Sequence, residues 1–214
     1  KQTQNTKPKI KNKIIFVVGP TAIGKSRVAV ELAGKINGQI ISCDSMQLYK
    51  GMDILTSKPP AALKKRIKHY LIDLVPPGRE FNVSRYRREA LKRIKEINKK
   101  GKIPIFVGGT GLYVSILLNG IFKGKRGSPD LRKKLYKEAE KFGSDYLYKK
   151  LKKADIEAAG KIHSNDIKRV VRALEVFLTT GKPISELQKD RQGLINEYDI
   201  KIFCLNMNRA KLYE

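Results

Sequence analysis

At 214 residues the chain can bury one full core plus a small satellite, which points to one domain carrying an insertion and excludes a repeat array. The net charge of +26 exceeds what solubility needs and favours a polyanionic partner, nucleic acid ahead of a membrane surface, although a lysine-rich background composition would also produce it. Two cysteines far apart, with no C-x-x-C, exclude a disulfide framework and a zinc site and suit a reducing cytoplasm, and no apolar run is long enough to cross a bilayer.

Residues 1–12 are polar and basic and read as a loose tail. Ile14 to Val18 is a buried-strand run that breaks into Gly19-Pro20-Thr21-Ala22-Ile23-Gly24-Lys25-Ser26 and then into the amphipathic pattern of residues 27–36, with Val28, Val30 and Leu32. This is G-x-x-x-x-G-K-S with its strand and helix in place. The loop amides and the helix dipole converge on a phosphate or pyrophosphate, Lys25 adds a point charge and Ser26 a hydroxyl for Mg²⁺. A purely structural strand–turn–helix is the alternative.

Gln39 to Cys43 gives a second strand ending at Asp44-Ser45. Ala61 to Lys68 reads as a short basic helix, and His69 to Val75 as a further buried strand closed by Pro76-Pro77-Gly78. Tyr86 to Asn98 carries a helical stripe at Ala90, Leu91, Ile94 and Ile97, ended by Gly101. Ile103 to Val107 is a core strand running into Gly108-Gly109-Thr110-Gly111-Leu112-Tyr113 and an apolar helix to about Leu118. Strand and helix alternating at this spacing predict an α/β fold, a parallel sheet with helices on both faces, over residues 13–120.

Residues 121–164 change character. Two lysine-heavy helical patterns, around Pro129 to Lys141 and Asp145 to Ala159, predict a helical insertion domain. Residues 165–214 are expected to return to the core through a helix from Asp166 to Thr180, ended by Gly181 with Pro183 after it, and a strand from Ile200 to Leu205. Arg209 to Tyr213 then begins another helix at the chain's end, as in a fragment.

Asp44, at a strand's carboxyl end beside the phosphate loop, is placed to accept a proton from a substrate, or equally to form a variant capping box with Gln47. Thr110 either meets a ligand with its hydroxyl or caps the following helix. Arg169 and Arg172 share a helix face with Lys168 beside it, as a phosphate clamp would, or Arg172 pairs with Glu175. His69 and His163 are solitary and read as structural. Tyr49, Tyr113, Tyr136, Tyr146 and Tyr148 either stack on bases or pack.

Taken together, Gly19 to Ser26, Asp44 to Ile54, Gly108 to Tyr113, and His163 to Asp166 with Arg169 to Glu175 resemble the tRNA dimethylallyltransferases, the isopentenyltransferases that modify the adenine 3′ of the anticodon. The likeness runs from about Lys13 to the end. Ile23, Leu55 and Ser164 depart from the family pattern without removing a chemical group.

The resemblance implies a P-loop-type core, a helical insertion that grips the anticodon stem-loop, and a channel that dimethylallyl diphosphate and the adenine enter from opposite mouths. Gly19 and Thr21, Ala22, Ile23, Gly24, Lys25 and Ser26 would hold the diphosphate with Mg²⁺. Asp44 would take the proton from the N6 amine, Thr110 would line the channel, and Arg169 or Arg172 would meet the leaving group. Asp44, Ser45, Met46 and Gln47, with Thr110, Arg132, Lys168, Arg169, Val170, Val171 and Arg172, would contact tRNA.

The family also implies further C-terminal helices, and the protein is expected to be a cytoplasmic monomer. A small-molecule kinase, with Arg126 and Arg132 as a lid, is the rival. It would want a second Mg²⁺-organising aspartate at a strand end, whereas Ile103 to Val107 ends in glycines and Asp73 lies inside its expected strand. An adenylate isopentenyltransferase and a purely RNA-binding protein are the other readings.

Overall fold

The computed structural model describes residues 12–122 and 127–208; nearly all of the expected tail, Arg126 and the helix expected from Arg209 lie outside the described residues. The chain forms two compact units, Lys1–Gly120 with Gly193–Glu214, and Ile121–Gln192.

The first unit is built on a parallel five-stranded sheet of order β3-β2-β4-β1-β5. Its strands are β1 (Lys13–Val18), β2 (Gly38–Ser42), β3 (His69–Tyr70), β4 (Ile103–Gly108) and β5 (Asp199–Cys204). The central strands are apolar on both faces because helices cover both. On one side Ile15, Val17, Ile40, Ile105 and Val107 pack against Ala29, Val30 and Ala33 of α1 (Lys25–Lys35). The alternate residues point the other way, where Phe16 stacks on Phe106 at 4.8 Å. That side meets α3 (Val83–Lys99), which buries Tyr86, Ala90, Ile94 and Ile97 and packs beside α4 (Gly111–Asn119).

The strand order puts β4 between β1 and β2, so the carboxyl ends of all three open on one edge. Gly108 permits this closeness: a Cβ there would stand 2.1 Å from the Cys43 carbonyl oxygen.

The short helix α2 (Ala61–Arg66) leads into β3, which is shorter than the sequence suggests. Only His69 and Tyr70 of the His69–Val75 run pair with β2, and Leu71 and Asp73 have φ of 59° and 55°. The backbone bonds of this segment go elsewhere: Asp73 N–H donates to Gln47 O, and Leu74 and Val75 N–H to Leu48 O. Leu71 and Val75 remain buried, so the apolar run is satisfied without a ladder. Asp73 therefore sits in a turn and not inside a strand, where Lys58, almost fully buried, holds it at 2.5 Å together with Asp53 at 2.8 Å.

The second unit contains α5 (Pro129–Phe142), α6 (Ser144–Ala154), α7 (Ile156–Lys161), α8 (Ile167–Thr180) and α9 (Ile184–Lys189). Its extent corrects the expected return to the core at residue 165. α8 supplies Val170, Val171, Ala173, Leu174 and Val176 to a core shared with Leu135 and Ala139 of α5, Leu147 and Leu151 of α6, and Ala158 and Ala159 of α7. Without α8 the amphipathic α5 and α6 would lose a large part of the apolar surface they bury against, and the chain leaves this unit only at Gly193.

The single helix expected from Asp145 to Ala159 is broken at Asp155. Its buried carboxylate accepts from Ala158 N–H (2.9 Å) at the start of α7 and from the Ser185 N–H (2.9 Å) and hydroxyl (2.7 Å). Burial alone would raise its pKa. The bonds from Ser185 and Ala158 outweigh it and hold the value below the ordinary 3.8.

Asp155→Ala is expected to destabilise the intact protein by about 2 kcal/mol, a lost cap plus a buried N–H left unpaired. Because the folded-state value is depressed, the deficit is full at pH above 3.8 and fades as pH falls through the folded-state value. Urea unfolding at a series of pH values reads both; a pH-independent deficit would assign Asp155 a packing role only.

Candidate active site

The phosphate loop leaves β1 at Gly19, where φ is 144° and a Cβ would meet the Leu205 carbonyl oxygen at 2.4 Å. Ala22 (φ 69°) and Gly24 (φ 85°) turn the chain back, and Gly24 caps α1 without a side-chain bond. The first turn of α1 contains no acid, so its unpaired N–H groups and dipole face the loop's hollow unopposed. Lys25 folds over the loop onto the Pro20 carbonyl. Burial pushes its ammonium below its ordinary pKa of 10.5, while the charge of Asp44 works the other way.

Asp44 follows β2. Its Oδ1 accepts from Met46 N–H at 2.9 Å, an Asx turn that fixes the side chain. The alternative capping box does not form, because Gln47 accepts from the Ser42 hydroxyl (2.9 Å) and donates to Ser57 O (3.2 Å).

Thr110, expected on the channel wall, also links two loops. Its Oγ1 accepts from Ser45 N–H at 3.0 Å and lies 3.4 Å from the Ser45 hydroxyl, while its N–H donates to Cys43 O. It makes no side-chain cap on α4. The effect is to tie the loop after β4 to the loop after β2, one residue beyond Asp44.

Thr21, Ala22, Gly24, Lys25 and Ser26 line one side of a cavity of about 200 Å³, and Ser42, Asp44 and Gln47 line another. Ile40, Ile72, Pro59 and Val107 give it an apolar stretch. Thr56, Ser57 and His69 also reach it, and sequence reasoning missed all three. Thr56 and Ser57 come from an irregular loop with no period, whose one signal was Lys58 between two aspartates, and His69 opens β3. His69 sets its Nδ1 against Ile67 O at 2.7 Å, which suits a structural role on the wall. Behind the cavity Tyr86 stacks on Tyr113 at 3.7 Å and donates to Ser42 O at 3.0 Å. Burial pushes the Cys43 thiol up to about 12, so this cysteine is inert at neutral pH.

The helical unit carries the remaining expected residues. Lys168 and Arg169 are exposed, with Arg169 3.3 Å from Asp166. Val170 and Val171 are each 1 % exposed, so their side chains face the core and not an RNA. Arg132 and Arg172, on separate helices, share the fully buried Glu175 carboxylate at 2.8 and 2.5 Å. The Arg172 to Glu175 pairing is thus the one that forms. Among the tyrosines, Tyr136 and Tyr146 are exposed, Tyr148 donates to Ala159 O, and Tyr113 is buried.

A family model described as IPP transferase matches residues 47–214. A tRNA dimethylallyltransferase of Caldanaerobacter subterraneus subsp. tengcongensis is 50% identical over 204 residues, covering 94% of this chain and 65% of the relative. The crystal structure of the full-length tRNA isopentenylpyrophosphate transferase from Bacillus halodurans superposes with TM-score 0.61 at 39% identity, over 95% of this chain and 63% of that one. A eukaryotic dimethylallyltransferase captured acting on tRNA superposes with TM-score 0.78 at 36% identity, over 91% of this chain and 48% of that one. The chain thus spans about two thirds of the length of the curated relatives it matches. The family match and the phosphate-loop core converge on one conclusion: this chain belongs to the IPP transferase family.

Proposed function

We propose that the protein transfers a dimethylallyl group from dimethylallyl diphosphate to N6 of the adenine 3′ of the anticodon in tRNA, releasing diphosphate. The observation that carries this reading is that Lys25, Ser26 and Asp44 line one cavity, a cationic phosphate cradle facing a single carboxylate.

The adenine must leave its stack to reach that cavity, at a cost of a few kcal/mol that is smallest in a single-stranded loop. Its N6 amine attacks C1 of the allyl group while the C1–O bond breaks and the diphosphate departs with the bonding pair. Asp44 takes the N6 proton, so the nitrogen keeps its electron density as the new bond forms. Lys25, the loop amides and the amino end of α1 stabilise the charge growing on the leaving group. The allyl tail has Ile40, Ile72 and Pro59 to lie against.

The donor set suits Mg²⁺. The cavity offers hard oxygens, the hydroxyls of Thr21 and Ser26 and the Asp44 carboxylate, and among the described residues no three or more His, Cys, Asp or Glu gather to hold a metal alone. Ser26 would hold the ion together with diphosphate oxygens, and its charge would add to the neutralisation of the leaving group. Two free cysteines, Cys204 exposed, suit a reducing cytoplasm.

Incubating the intact protein with unmodified tRNA, dimethylallyl diphosphate and Mg²⁺, then weighing the anticodon-loop nucleosides, tests the proposal. One dimethylallyl group on the adenosine 3′ of the anticodon is expected. Unchanged nucleosides, or preferential modification of added AMP, would overturn it.

A further inference from the structure

Phe142 is the last residue of α5 and Tyr146 lies in the first turn of α6, with Gly143 (φ 84°) making the corner between them. The two helices close their shared core with Leu135, Ala139, Leu147 and Leu151, and leave both aromatic rings outside it. Phe142 is 53% exposed and Tyr146 38%, and their centroids lie 4.9 Å apart with planes inclined by 43°. Lysine ammoniums lie over the rings, Lys141 at 5.1 Å from Phe142 and Lys150 at 4.6 Å from Tyr146.

Lys133, Lys134, Lys137 and Lys141 recur along one face of α5 and, with Phe142, line a recess of about 480 Å³. The acids in this recess are Asp130 and Glu138, and Glu138 is already matched by Lys150 at 2.7 Å. The recess therefore keeps a net positive charge beside an exposed π surface.

We infer that Phe142 and Tyr146 form a stacking platform for an unpaired nucleobase, fed by the lysine track of α5, which receives the flanking phosphates. The inference rests on the reading of tRNA as the substrate. A base offers a π face to the rings and carries the anionic backbone that four lysines suit. A protein partner fits less well, because lysine is depleted at the centre of such interfaces. The Lys141 ammonium can swing to the phosphates as a base arrives, while Lys150 stays paired with Glu138.

The test measures binding of the intact protein to a synthetic anticodon stem-loop RNA across a salt series. Phe142→Ala and Tyr146→Ala should each weaken binding by about 5- to 100-fold while leaving the slope of log affinity against log salt unchanged. Phe142→Tyr and Tyr146→Phe should keep the parent's affinity. Lys137→Ala with Lys141→Ala should weaken binding and flatten the slope. Phe142→Leu, which keeps bulk without a π face, should behave as the alanine variant does and guards against a folding defect. A fluorescent purine analogue in the loop should lose its quenching in the same variants.

Parent-like affinity in both alanine variants would overturn the platform, as would binding of these variants to anionic vesicles being lost while RNA affinity holds. A parent protein that binds no RNA would instead sink the tRNA reading on which the platform rests.

Discussion

Asp44→Ala is expected to slow dimethylallyl transfer by about 10²- to 10⁴-fold, the span usual for loss of a general base, with tRNA affinity nearly unchanged. The size follows from the geometry. The carboxylate is aimed by Met46 N–H, followed one residue on by the Ser45–Thr110 tie and set in the same cavity as Lys25. Asp44→Asn should preserve the Asx turn and lose the proton acceptor, so it should be as slow as alanine. Single-turnover rates with saturating enzyme in excess over tRNA isolate the chemical step from binding. A variant within a few-fold of the parent rate would remove Asp44 from the reaction, whereas equal losses in rate and tRNA affinity would make it a binding residue.

Replacing Arg132 and Arg172 together by methionine is expected to destabilise the protein by about 3–5 kcal/mol, because Glu175 would be left buried and unpaired. The carboxylate is fully inaccessible, whereas the two arginine side chains are 47% and 39% exposed. Either guanidinium alone still neutralises it, so each single variant should lose far less than half of the double. This non-additivity is the signature of one acid shared by two bases. Adding Glu175→Gln to the double variant should recover much of the loss. Chemical denaturation of the parent and these four variants decides it; additive single losses would mean that each arginine acts through its own packing.

The sheet was legible because Ile14 to Val18, Gln39 to Cys43 and Ile103 to Val107 are apolar on both faces, which only a strand covered on two sides requires. The meeting of the phosphate loop with Asp44 was legible too, since both follow carboxyl ends of parallel strands. What composition could not report was where hydrogen bonds would go. The run from His69 to Val75 has the apolarity of a strand, yet its last three amides bond to residues 47 and 48.

Asp155 is hidden in the same way. Its neighbours keep a helical period through it, and only the distant Ser185 makes it a break. Val170 and Val171 were misread for a simpler reason. Five consecutive residues exceed one helical turn, so on a surface helix some of them must face inward. The loop residues Thr56 and Ser57 had no period to betray them, and their place on the cavity wall depends on Lys58 being clasped between Asp53 and Asp73.

The pairing of β1 with β5 has a consequence for how the site comes into being. Ile14 lies beside Ile200, Val18 O accepts from Leu205 N–H, and Gly19 passes against the Leu205 carbonyl. β1 must therefore wait for β5, across the whole of the intervening helical unit. Closing so long a loop is slow. A nascent chain halted before Asp199 would carry the motif without the neighbour that shapes it.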